Sequence, residues 1–185
     1  LYGGTSSCFF DDTLDCGARD DLWEFNGESW RRRLSGGAPG LRSGMGAVYD
    51  PELAAVVLYG GTNPEGSSTP DDQLWAWDGV AFTAVPMAGT PPPRPESRLA
   101  HLPGVGLLHH APGTTTVGAD GAWTALAAGP GPNEPLDTST DGLSQHGALF
   151  RHPVAGVVHL YRSTDAHFRL EDDAWVESRD DPEGD

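Results

Sequence analysis

The side chains of this chain that could do chemistry are its seven histidines, its two cysteines and a series of adjacent acids. Imidazoles could ligate a transition metal. Carboxyl pairs could hold calcium or, if placed ~5 to 10 Å apart across a pocket, cleave a glycosidic bond. Spacing argues against each of these uses. His109 and His110 are neighbours, and neighbours on a strand point to opposite faces, so they do not converge on one ion. His152, His159 and His167 fall on a turn, a strand, and a second strand or loop. Arg42-Ser43-Gly44-Met45, Arg98-Leu99-Ala100-His101 and Leu143-Ser144-Gln145-His146 align, so His101 and His146 share a repeated position that Met45 also fills. The acids Asp11-Asp12, Asp20-Asp21, Asp71-Asp72, Asp172-Asp173 and Asp180-Asp181 are pairs in sequence only, without the Asp-x-Asp-x-Asp-Gly order of a calcium loop. Neither a Gly-x-Ser-x-Gly elbow, a phosphate-binding glycine loop nor a His-Glu-x-x-His helix occurs. The expectation is no catalytic residue, no metal site and no cofactor.

Cys8 and Cys16 lie eight residues apart in one polar stretch, where closing a short loop is geometrically easy. A disulfide between them is expected, with two free thiols as the alternative; no nearby Cys or His completes a four-ligand metal site. The bond would place the protein in an oxidising setting: secreted, at the cell surface or periplasmic. The 27 acidic residues against 11 basic ones give a formal charge of −16, which repels phosphate backbones and anionic lipid. Nucleic acid is therefore an unsuitable partner. The longest apolar run, Leu53 to Tyr59, is far below the ~20 residues of a membrane-spanning helix. The chain opens at Leu1 without a Met or a charged and apolar leader, so any targeting segment is expected to have been removed or never included.

The elements that would carry these residues are written in repeats. Leu1-Tyr2-Gly3-Gly4-Thr5 is followed by Leu22-Trp23-Glu24-Phe25-Asn26-Gly27, and 57 residues later Leu58-Tyr59-Gly60-Gly61-Thr62 is followed by Leu74-Trp75-Ala76-Trp77-Asp78-Gly79. A period of roughly 50 residues suits four-stranded blades better than helical solenoids. The 25 Gly and 16 Pro likewise favour many turns between short strands. Trp23 and Trp30, Trp75 and Phe82, and Phe168 and Trp175 are each seven apart around a turn, while the third copy keeps Trp123 and has Thr116 as the first member. Asn26-Gly27 and Asp78-Gly79 read as tight hairpin turns whose two central residues take positive φ. Before them, Gly46 to Asp50 leads into Ala55 to Tyr59, Leu99 to Leu108 turns at Pro103-Gly104, and Gly147 to Pro153 leads into Gly156 to Tyr161. Trp30, Phe82, Trp123 and Trp175 are expected at equivalent positions in successive sheets, buried between them. Removing Trp30 or Phe82 would then cost ~3 to 5 kcal/mol.

A Gly-Gly doublet closing an apolar strand, followed by two aromatics separated by six residues, resembles the kelch repeat, and the Asp-Leu-Trp and Asp-Gly phrasing resembles bacterial kelch-type propellers. The likeness spans essentially the whole chain. It is strong in the first two copies, moderate in the fourth and weak in the third, with His109-His110 and Arg162-Ser163 read as standing in the place of the doublet. The resemblance implies an all-β propeller of about four kelch-like blades over residues 1–185: approximately 1–34, 35–86, 87–127 and 128–178, then an acidic tail, 179–185. The first blade lacks its opening strand. The array is then either a fragment of a six- or seven-bladed ring or a four-bladed ring with one three-stranded blade, and the resemblance favours the fragment.

Function in such an array is expected in loops freed from the repeat. The second-to-third strand connections are long in the first two copies, from Thr5 to Asp21 and from Thr62 to Gln73, and Phe9-Phe10 stands out as an aromatic pair in an acidic, non-repeated loop. Phe9, Phe10, Asp11 and Asp12, with Asn63, Pro64 and Glu65, are the expected binding residues. The expected function is a non-catalytic scaffold engaging a protein, or a glycan, through this face. The alternative is part of a carbohydrate-active or galactose oxidase-like propeller enzyme. Against the oxidase stand its tyrosines, Tyr2, Tyr49, Tyr59 and Tyr161, which all occupy repeat positions.

Overall fold

The computed structural model describes residues 1–6, 17–33, 39–62, 72–89, 97–111, 114–126, 148–152, 156–160, 166–172 and 174–179. They form an all-β chain with no helix among the described residues. It divides into two compact units, residues 1–86 with 92–97 and residues 87–91 with 98–185.

In the first unit, β1 (Thr5–Ser6) pairs with β2 (Gly17–Ala18), and β3 (Leu22–Phe25) pairs with β4 (Trp30–Arg33). The Tyr2 to Leu22 bridge and bonds from Trp23 N to Leu1 O and Gly3 N to Asp21 O join them, so three strand segments run side by side. Next come β5 (Ser43–Asp50), β6 (Ala55–Thr62), β7 (Leu74–Trp77) and β8 (Phe82–Val85), a four-stranded antiparallel meander in chain order. The second unit holds two more such meanders. One is β9 (Arg98–Leu102), β10 (Gly106–Ala111), β11 (Thr114–Ala119) and β12 (Ala122–Ala125); the other is β13 (Ala148–His152), β14 (Gly156–Leu160), β15 (Ala166–Glu171) and β16 (Ala174–Arg179).

The repeat read in the sequence is a register. Phe25 faces Trp30, Trp77 faces Phe82, Gly118 faces Trp123 and Leu170 faces Trp175, so the four aromatics hold one position in four sheets. Their burial is unequal. Trp123 and Trp175 are 6% and 7% exposed, and Phe82 is half-buried, but Trp30 is 57% exposed. The expectation of a buried ring at Trp30 is therefore overturned. Pairing puts Tyr2, Leu22 and Glu24 on the face of the first sheet that meets the second, and Trp23, Phe25 and Trp30 on the other. There Phe25 and Trp30 pack on each other, ring centroids 5.2 Å apart, and Phe25 is 54% exposed.

Both units stack their sheets by the same contact. The Tyr2 ring meets Phe82 edge-on at 5.1 Å and 65°, and the His110 ring meets Trp175 at 5.3 Å and 70°. Tyr2 and His110 correspond in register, since Leu1 pairs with Trp23 and His109 with Thr116, each seven residues before the fourth-strand Trp. This corrects the reading of His109-His110 as the doublet's replacement. They fall two residues earlier, in the place of Leu58-Tyr59: His109 pairs with Thr116 as Leu58 pairs with Trp75. Arg162 and Ser163 lie outside the described residues.

The turns differ from expectation too. Asn26 and Asp78 do not take positive φ; Gly27 and Gly79 do, at 99° and 95°. Each Asx side chain instead closes a four-residue loop. Asn26 Oδ1 accepts from Glu28 N and Ser29 N, and Asp78 Oδ1 from Val80 N and Ala81 N. Those backbone bonds, the Ala81 one foremost, hold the Asp78 carboxyl below its usual pKa. The two-residue turn with positive φ throughout belongs to the third sheet, where Asp120 has φ 51° and Gly121 76°.

Candidate functional site

Glycine doublets build the end of the first unit from which the long connections leave. Gly3, Gly4, Gly60 and Gly61 all have positive φ, and a Cβ on Gly3 would lie 2.5 Å from Arg42 O, one on Gly61 2.7 Å from Ser43 O. The backbone of Arg42 to Met45 thus runs in van der Waals contact with both doublets. Arg42 is the stitch. Its N–H donates to Arg19 O, its carbonyl accepts from Gly4 N, and its buried guanidinium donates through Nη1 to Gly60 O at 2.9 Å and through Nη2 to Pro39 O at 2.6 Å. The strands from which the two connections leave, at Ser6 (paired with Gly17) and at Thr62 (paired with Ser43), are therefore held next to one another. In those connections lie the residues singled out from sequence: Phe9, Phe10, Asp11, Asp12, Asn63, Pro64 and Glu65, with Cys8 and Cys16. All of these are outside the described residues.

A second feature is a cleft of about 650 Å³ between the two sheets of this unit, lined by Tyr2, Leu22, Glu24, Val56, Leu58, Trp77 and Phe82 among others. Glu24 is its acid. Arg33 Nε donates to one carboxylate oxygen at 2.6 Å and Trp77 Nε1 to the other at 3.3 Å, and the Arg33 bond foremost lowers the Glu24 pKa. Both oxygens are thus engaged, one within the first sheet and one across to the second, and the acid is not poised for proton transfer. At its edge the Tyr2 hydroxyl donates to Gly40 O at 2.8 Å, and burial, reinforced by Asp20, pushes its pKa up to about 12.

The third feature is the buried pair His109 and His110, which point to opposite faces of β10. His109 lies 6.0 Å from the Trp123 ring with Nδ1 3.4 Å from Thr116 Oγ1, while His110 Nδ1 is 3.0 Å from Thr115 Oγ1, which also accepts the Trp175 indole N–H at 2.9 Å. Burial foremost pushes their pKa values down to about 3 and about 4. Two uncharged imidazoles on opposite faces are packing groups. The signal for this was present in the sequence: the pair sits in the apolar run Gly106 to Ala111, opposite Thr115-Thr116.

Asp21, one of the adjacent acids, accepts the Trp23 indole N–H at 2.7 Å, and Asp50 caps the Pro51 to Ala54 turn through Glu52 N and Leu53 N. Among the described residues no group of three or more His, Cys, Asp or Glu is gathered for a metal ion, and no helix is long and apolar enough to cross a membrane. No protein-family model matches the chain, and no curated protein matches it.

Proposed function

We propose that this chain is a non-catalytic binding scaffold of the kelch-like propeller kind, engaging a protein partner through the connections at 7–16 and 63–72. The observation that supports this reading is the Arg42 stitch. It fixes the stems of two long, non-repeated connections side by side on a rigid pair of sheets, which is how binding loops are generally presented. Three four-stranded meanders, with a pair of sheets stacked through the same aromatic contact inside each unit, support the propeller reading. A bond between Cys8 and Cys16 would shorten the first connection and reduce the entropy lost on binding, and with it comes a secreted, cell-surface or periplasmic location.

A photo-crosslinking residue at Phe10 or at Glu65, introduced into the protein in its native compartment, tests the reading. Both positions should give adducts of the same mass, and deleting Phe9 to Thr13 should abolish them with the thermal midpoint within about 2 °C of the parent. Adducts absent from both positions, or persisting in the deletion, reject the face.

A further inference from the structure

We propose that Asn26 is a site of self-catalysed deamidation, where the loop between β3 and β4 converts its own asparagine to an aspartate with water as the one co-reactant. The sequence supplies the nucleophile. Of the three asparagines, Asn26, Asn63 and Asn133, only Asn26 is followed by glycine; Asn63 precedes Pro64, whose nitrogen has no proton to lose, and Asn133 precedes Glu134. The backbone nitrogen of Gly27 can reach the side-chain carbonyl carbon of Asn26 in a five-membered ring, and Gly27 has no Cβ to crowd that approach.

The fold supplies the electrostatics. Glu28 N–H and Ser29 N–H both donate to Asn26 Oδ1 at 2.9 Å, while the Asn26 N–H donates to Ser29 O at 3.3 Å, so the side-chain amide is clamped. The Gly27 N–H takes no part in these bonds and is left for the reaction. When it gives up its proton and the nitrogen bonds to Cγ, the carbonyl electron pair moves onto Oδ1. The two donors already stand at the distance from which fixed N–H groups stabilise such an oxyanion. As the pair returns, the Cγ–Nδ2 bond breaks and the nitrogen takes up a proton and leaves as ammonia. Water then adds to either carbonyl of the succinimide and opens it, to an aspartate or an isoaspartate. In sum, one amide and one water become one acid and one ammonia.

The second sheet shows that the loop accepts the product. Asp78-Gly79 holds the corresponding place, and Asp78 Oδ1 accepts from Val80 N at 2.7 Å and Ala81 N at 2.8 Å. These bonds, the Ala81 one foremost, keep the Asp78 carboxyl ionised below its usual range. A carboxylate so held has no neutral leaving group, so Asp78 resists the reaction that the same clamp promotes at Asn26. Water reaches loops of this kind. Asn26 to Ser29 are exposed, and Asp78, Val80 and Ala81 are exposed as well, although β6 runs beside β7.

Peptide mapping by mass spectrometry on the full chain, held folded in weakly alkaline buffer, tests the proposal. Asn26 should convert about tenfold faster than in the same chain unfolded by guanidinium at the same pH, because the unfolded chain lacks both donors. Ammonia should appear in equal amount, and Asn63 should stay intact. Asn26→Asp supplies the product outright and should melt at or above the parent temperature, since an ionised acceptor bonds the two N–H groups more strongly than an amide does. A folded-chain rate at or below the unfolded one would overturn the inference, and so would an Asn26→Asp variant that melts below the parent.

Discussion

His110 shares a hydroxyl with the neighbouring sheet. The Trp175 indole donates to Thr115 Oγ1, which also lies 3.0 Å from His110 Nδ1. A second proton on this imidazole would bury a charge. Unfolded, each imidazole takes up a proton near 6.5; folded, His110 does so only near 4 and His109 near 3. Between these values the unfolded chain binds more protons than the native one. The contribution is complete above about 6.5 and is lost progressively as the pH falls towards the folded values. The urea midpoint should therefore be flat from pH 8 to about 7 and fall between about 6.5 and 5, above the range in which ordinary carboxylates titrate. In His109→Leu that fall should be smaller, and an unchanged slope would exclude the imidazole as its source.

Among the elements, the fourth strands separate position from burial. Trp30 and Trp175 share a register, so sequence alone assigns them one role; the face covered by a neighbouring sheet assigns them two. Trp175→Ala opens a cavity among Ala100, Leu108, Leu149 and Phe168 and takes one hydrogen bond from the Thr115 hydroxyl, and should cost ~3 to 5 kcal/mol by denaturant titration. Trp30→Ala removes a ring already more than half in water, and should cost under about 1 kcal/mol. The third sheet, the least regular in sequence, follows the same logic. Gly118 stands where the second sheet has Trp77, and the Trp123 ring lies so close over it that a Cβ there would be 2.9 Å from the indole. Thr116, where an aromatic was expected, bonds His109 instead. Strand order, hairpin pairing and the repeated aromatic position were legible because alternation and turn residues encode them locally. Which aromatic face is covered was not, because it depends on contacts between sheets some fifty residues apart. Nor was the role of Arg42, since a buried guanidinium bonding backbone carbonyls leaves no pattern in the sequence; its alignment with Arg98 does not hold in register, where Arg98 stands opposite His110 as Gly46 stands opposite Tyr59.

At the scale of the molecule, the acidity that discourages nucleic acid leaves one basic strand, Trp30 to Arg33, conspicuous, while the residues singled out for binding fall between stems that the fold does fix. The stitch at Arg42 has a consequence for how the first unit breathes. The bonds described for it are shared out between both sheets: its backbone holds Arg19 and Gly4 of one, and its guanidinium holds Gly60 of the other and Pro39 in the segment entering it. Peeling away the first doublet strand breaks the backbone bonds and peeling away the second strands a buried guanidinium, so the amides of Gly3 and Gly4 should not exchange with deuterium by private, local fluctuations but at the same free energy as those of Leu58 to Gly61. Arg42→Met removes only the guanidinium bonds, so in it the two sets should part company, Gly60 and Gly61 exchanging faster by at least about tenfold while Gly4, bonded to the Arg42 carbonyl, keeps its protection. Identical exchange in the variant would mean that the guanidinium does not hold the second doublet strand.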